Sequence, residues 1–248
     1  MPDTTIKTEI LIHDLKVPIS VIDAGAKSLL NRQDCYGPLT EKQIKVLQRI
    51  IRNTLTTQRL VNDVLELGRS REGVMITSDF SVASLVIAVL VEIFDLSDPN
   101  IADFIRKVDS YAELEQVLDP AGVRLGFDKT MWKTMVHLDA AKVKQILRNL
   151  VTNAFKHRVH LVEILGLIEE KQMILRVRDD GRGIPPANHQ RIFETYFTTG
   201  GSIESAIESH GLGLAGVMVL LKDMGGGLIL KSDDGKGAEF IVTIPLGS

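Results

Sequence analysis

Over roughly the first quarter of the chain, apolar positions recur at steps of three and four. From Thr4 to Asn31 they are Leu11, Leu15, Ile19, Ile22, Ala26 and Leu29; from Thr40 to Gly68 they are Ile44, Leu47, Ile51, Leu55, Val61 and Leu65. Each series is the stripe of an amphipathic helix. Pro18 removes a backbone hydrogen bond inside the first helix, which predicts a kink just after His13. Asn31 to Pro38 interrupts the pattern. Thr40 with Gln43 three residues on reads as a capping box that opens the second helix, and Gly68 is placed to end it. Two long helices joined by a short loop cannot cover their own seam, so the pattern predicts an antiparallel hairpin that pairs with a second copy as a four-helix bundle homodimer.

The pattern then changes. Arg69 to Ser78 is polar and contains glycine, a hinge that divides the chain into domains at 1–72 and 73–248. Phe80 to Phe94 is strongly apolar and reads as a buried helix. Asp98-Pro99 and Ser110 look like helix starts. Val123 to Phe127 and Thr134 to Leu138 read as short strands around a turn at Asp128 to Thr130. Asp139 caps a helix to about His157 with a stripe of Val143, Ile146, Leu147, Leu150 and Val151. Strands follow at about Val159 to Ile168 and Gln172 to Arg178, then a helix from Gly211 to about Met224, then a hairpin of Leu228 to Leu230 and Ala238 to Ile244 over Asp233 to Gly237. The fold class is therefore α+β, a helical hairpin followed by a sheet-and-helix domain.

Composition adds limits rather than direction. The chain has 248 residues, 44% hydrophobic and 25% charged, ordinary for a soluble protein that buries a core. Its 29 basic and 32 acidic residues leave a net charge of -3, which gives no electrostatic case for nucleic acid or an anionic membrane. A single cysteine, Cys35, excludes an internal disulfide and a cysteine metal cage, in agreement with a reducing cytoplasm. No apolar run approaches the ~20 residues that span a bilayer, and Met1 to Glu9 lacks the order of a signal peptide.

Three stretches carry chemistry. In RVRDDGRGIPP, Arg176 to Pro186, an alternating apolar strand stops at Asp179, and Gly181 and Gly183 follow at two-residue steps. A fixed carboxylate there stands beside backbone that can turn sharply and approach a flat ligand. In NLVTNAFKH, Asn149 and Asn153 share a helix face with Lys156 and His157 one turn later, offering amide oxygens that suit a hard cation and positive charge that suits phosphates. In HGLGLAGV, Gly211 to Leu214 opens a helix whose first N–H groups can meet a phosphate. His13 is two residues from both Leu11 and Leu15, so at about 100° per residue it faces solvent, away from the seam. An imidazole is a usable nucleophile near neutral pH, and the adjacent Asp14 can hold its other nitrogen proton.

Together the three stretches resemble the nucleotide-binding boxes of sensor histidine kinases, within the ATP-binding superfamily that includes gyrase, the ninety-kilodalton heat-shock chaperone and MutL. His13-Asp14-Leu15-Lys16-Val17-Pro18 resembles the phospho-acceptor box of the same family. The resemblance covers nearly the whole chain except Asp95 to Gly122, where something has been inserted. It implies an α/β-sandwich ATP-binding domain after a dimerising hairpin, with ATP and Mg2+ as ligands. It implies that His13 takes the γ-phosphoryl group with Asp14 as base or orienter, and that Asn153 holds magnesium. Asn149, Lys156 and His157 then approach the phosphates, Asp179 accepts from the adenine amino group, and Gly181, Gly183 and Ile184 shape the pocket. Phe193, Tyr196 and Phe197 resemble a further aromatic box. Thr198 and Thr199 begin a polar lid to Ser209, and Gly211, Leu212, Gly213 and Leu214 meet the phosphates. A response regulator is the implied partner, the cytoplasm the implied location, and weak phosphatase activity follows from Val17, which stands where relatives usually place Thr or Asn. The alternatives from other classes are a non-catalytic phosphotransfer scaffold with a decayed ATP domain, an ATPase of the gyrase or chaperone type, and a serine kinase of the anti-sigma kind. His13 lies close to Met1, so the expectation is a fragment or a naturally truncated kinase, whose absent sensor portion could be membrane-bound.

Overall fold

The computed structural model describes residues 8–71, 74–194 and 212–246. It divides into two compact units, one up to Arg69 and one from Ser70.

In the first unit α1 (Thr8–Asn31) is a single helix with Pro18 inside it. A short α2 (Gln33–Tyr36) fills the expected break, and α3 runs from Glu41 to Arg71. The capping box forms as read. The Gln43 side chain accepts from the Thr40 N–H at 2.8 Å, and the Thr40 hydroxyl accepts from the Gln43 N–H at 3.3 Å. Gly68 does not end α3, because an interior glycine costs a helix only about 1 kcal/mol and the flanking residues propagate through it.

The second unit is a two-layer α/β sandwich. Its sheet has the order β2 (Val123–Phe127), β4 (Val162–Glu169), β5 (Gln172–Asp179), β7 (Ala238–Pro245), β6 (Gly227–Ser232), with β2 parallel to β4 and the rest antiparallel. Alternate residues of the central strands are buried, among them Ile164, Leu175, Val177 and Val242. Helix α8 (Ala140–His157) packs on β4 and β5, flanked by α4 (Val82–Ser97) and α10 (Leu212–Asp223). Asp139 caps α8 by accepting from the Lys142 N–H at 3.2 Å.

One sequence expectation changes here. The runs at 123–127 and 134–138 are both strands but not a hairpin. Asp128 caps a helical turn, α7 (Lys129–Lys133), and β3 (Met135–Leu138) leaves the main sheet to pair antiparallel with β1 (Ser78–Ser81). The stretch from 95 to 122 holds α5 (Pro99–Ile105) and α6 (Tyr111–Leu118), started by Asp98 and Ser110 as expected. It is fastened to the sheet. The Tyr111 hydroxyl accepts from the Phe127 N–H at 3.2 Å, and its ring meets Trp132 edge-on at 4.8 Å. None of the described helices is long and apolar enough to cross a membrane.

Candidate functional site

β5 ends at Asp179 in the middle of the sheet, between Val162 and Ala238 of the neighbouring strands. The residue is 5% exposed, and its carboxylate accepts a 2.9 Å hydrogen bond from the Gly181 N–H. Burial holds its pKa above the usual carboxylate range; the amides of Gly181 and Ala238 and the charge of His157 pull the other way without reversing it. An ionised carboxylate has several acceptor positions, so these amide bonds leave capacity for a ligand donor.

The backbone beyond Asp179 is close-packed where side chains are missing. A Cβ on Gly181 would fall 2.2 Å from the His157 carbonyl oxygen, and one on Gly183 (φ +74°) would fall 1.9 Å from that of Asp233. The loop is thereby closed onto the end of α8 on one side and the β6–β7 turn on the other. Ile184 donates its N–H to the Ser232 hydroxyl at 2.8 Å, and that hydroxyl donates to the Gly237 carbonyl at 2.6 Å. Ser232 is a support the sequence reading missed, although a serine directly before the Asp-Asp-Gly-Lys-Gly turn was the available signal.

Helix α8 brings the second group. Asn149 donates to the Gly213 carbonyl at 3.3 Å, and the Asn153 amide nitrogen lies 3.7 Å from where a Gly213 Cβ would stand. Both amides are therefore turned toward the first turn of α10, where the N–H groups of a helix start and the positive end of the helix dipole favour an anion. Leu214 is half-buried there, and Lys156 and His157 are exposed in the last turn of α8. Asp180, beside Asp179, is held by backbone amides. Its carboxylate accepts from the N–H groups of Val159 and His160 at 2.9 and 3.0 Å and fixes the entry to β4.

His13 lies in α1, next to an exposed Asp14. The side chains of His13, Phe193 and Leu212 lie outside the described residues, as do Tyr196, Phe197, Thr198, Thr199 and Gly211 altogether. What is described in the second unit is a buried carboxylate, glycine-lined backbone beside it, and two amides facing a helix start. That set suits a planar heterocycle joined to an anionic chain.

Comparison with known proteins bears on this geometry. Residues 138–248 match the family model described as "Histidine kinase-, DNA gyrase B-, and HSP90-like ATPase", and residues 9–73 match "His Kinase A (phospho-acceptor) domain". The sensor histidine kinase MtrB of Mycobacterium leprae is 26% identical over 239 residues, 94% of this chain and 38% of its own length. The sensor protein SrrB of Staphylococcus aureus is 26% identical over 241 residues, 94% of this chain and 36% of its own. The chain thus spans little over a third of these relatives. In fold it is similar to full-length ShkA solved with AMPPNP (TM-score 0.64, 22% identity, 99% of this chain and 47% of that one) and to the Acinetobacter baumannii histidine kinase AdeS (TM-score 0.54, 20% identity, 95% and 98%).

Proposed function

We propose that this chain, which belongs to the sensor histidine kinases and carries their catalytic core, moves the γ-phosphoryl group of ATP to His13 and then to an aspartate of a response-regulator receiver domain. The observation that carries the reading is the pair Asn149 and Asn153 turned to Gly213 at the start of α10 in an ATPase-type fold. The solution of ShkA with AMPPNP supports a nucleotide in the same fold. In this reading Asp179 accepts from the adenine amino group, and Gly181, Gly183 and Ile184 let the ring lie against backbone. Lys156, His157, Gly211, Leu212, Gly213 and Leu214 serve the phosphates, and Phe193, Tyr196, Phe197, Thr198 and Thr199 are assigned to the nucleotide by the family resemblance alone.

Magnesium fits the residues present. Among the described residues no three His, Cys, Asp or Glu side chains cluster as a metal cage, and magnesium is commonly held by one or two protein oxygens together with phosphates and waters. The Asn153 amide oxygen would supply the protein contact. When bound, the ion neutralises phosphate charge.

An imidazole nitrogen of His13 forms the new bond to the γ-phosphorus as the bond to the bridging oxygen breaks and ADP departs. Asp14 holds the proton on the other ring nitrogen, favouring the attacking tautomer. The protein acts as a homodimer through the seam of α1 and α3. The test is incubation with γ-labelled ATP followed by acid. Wild-type protein takes up acid-labile label, and His13→Gln takes up none while binding nucleotide as before. Acid-stable label, or label on His13→Gln, overturns the assignment.

A further inference from the structure

Lys142 is completely buried, and the chemistry above does not use it. It stands in the first turn of α8, and its ammonium donates to the Val74 carbonyl at 2.7 Å. It also pairs with the carboxylate of Asp223 and lies 4.0 Å from that of Asp139. Asp139, 2% exposed, in turn accepts from the Ile76 N–H at 3.0 Å. The stretch of chain that follows α3 is therefore fixed at one carbonyl by Lys142 and at one amide by Asp139.

Asp223 is the last residue of α10, the helix whose first turn faces Asn149 and Asn153. A helix of this length shifts as a rod, so a displacement at its first turn reaches Asp223 undiminished. Asp223 cannot exchange its partner for water without stranding a buried ammonium, which is costly. Lys142 must follow, and the Val74 carbonyl with it.

We infer that Lys142 is a positioning residue that couples nucleotide occupancy at the start of α10 to the segment at 74–76, through the Asp223 carboxylate at the far end of that helix. The inference rests on the nucleotide reading given above. A plain structural brace would raise stability equally with and without nucleotide.

The experiment is hydrogen exchange at the Ile76 amide in the whole chain, with and without a magnesium-bound, non-hydrolysable ATP analogue whose affinity is titrated separately. In wild type the analogue slows exchange at Ile76 by about fivefold, the lower end of ordinary coupling between sites. Asp223→Asn keeps the shape but not the charge; it binds the analogue with wild-type affinity and loses that effect. Asp223→Glu, which keeps the carboxylate, retains it. A wild-type chain that does not bind the analogue overturns the nucleotide reading and the coupling with it. Binding with no change at Ile76, or an Asp223→Asn chain that keeps the full change, overturns the coupling alone.

Discussion

Up to Arg69, the described residues that are buried are Ala26 and Thr54, whereas Leu15, Val21, Ile22, Leu29, Val46 and Ile50 stand exposed. From Ser70 onward, α8 alone buries Val143, Ile146, Leu147 and Leu150 completely. The two units carry equally regular apolar stripes, yet only one of them has a layer to set its stripe against. The sandwich is complete in one chain. The exposed apolar residues of α1 and α3 are the surface that the proposed dimer seam would cover.

The largest expected effects break that comparison directly. Leu147→Ala empties a fully buried site in the sandwich and should cost about 2–5 kcal/mol in urea unfolding of that unit. Ile22→Asp leaves single-chain folding intact, because Ile22 is 53% exposed, but places a charge in the seam. It should turn a dimer into a monomer in sedimentation while nucleotide affinity stays the same. A dimeric Ile22→Asp protein, or an unperturbed Leu147→Ala transition, would remove the contrast.

A smaller contrast lies within the site, between two adjacent acids. Burial pushes the Asp179 carboxyl up. At Asp180 burial also acts upward, but backbone hydrogen bonds around Leu161, His160 and Val159 outweigh it and hold the group below the usual range. Folded Asp179 retains its proton above the unfolded value, so its contribution to stability declines as pH rises through that interval. Asp180 does the reverse, its contribution being full above the ordinary carboxylate value and lost as pH falls through the lowered one. In the proposed reading the ionised carboxylate is the stronger acceptor for the adenine amino group, so nucleotide affinity should fall on mild acidification before other carboxylates titrate. Asp179→Asn should weaken binding about tenfold or more, as expected for a lost charged hydrogen bond, and flatten that pH dependence. Asp180→Asn should leave both unchanged. Titration with a fluorescent ATP analogue across pH reads all three proteins.

What the sequence makes legible follows the range of the interactions involved. Capping boxes, caps and amphipathic stripes are settled within four residues, and Thr40, Asp98, Ser110 and Asp139 all start helices as read. That Asn149 and Asn153 lie on one helix and that Asp179 closes a strand was legible, because helix spacing and a strand end fix where such groups stand. The partner of β2 was not, since two short apolar runs around Asp128 look like a hairpin and nothing local says that β2 pairs with β4. Lys142 was hidden for the same reason. A lysine in an amphipathic helix reads as solvated, and its burial is decided by Val74 and Asp223, 68 and 81 residues away in the chain.

The smallest effect concerns the exposed side of the hairpin. Val17 lies in α1 four residues after His13, one helical turn on, and is 54% exposed. Valine offers no donor or acceptor to a water. The resemblance implies Thr or Asn at this place, a group able to orient the water that hydrolyses the regulator's phospho-aspartate, so the proposed kinase should here be biased away from phosphatase activity. Val17→Thr is close to isosteric, and both residues are β-branched with similar helix propensity, so the helix should tolerate the change to within a few tenths of a kcal/mol. The measurement is dephosphorylation of a phosphorylated cognate regulator by His13→Ala protein, which cannot take the phosphoryl group back. Adding Val17→Thr should speed it by about tenfold or less, below the 10²–10⁴ typical of a full acid or base, because orienting water is a weaker contribution than moving its proton. Val17→Ala, which removes bulk without adding a hydroxyl, should do nothing. Equal acceleration by alanine and threonine would assign the effect to steric access, and fast dephosphorylation with Val17 in place would show that another group already positions the water.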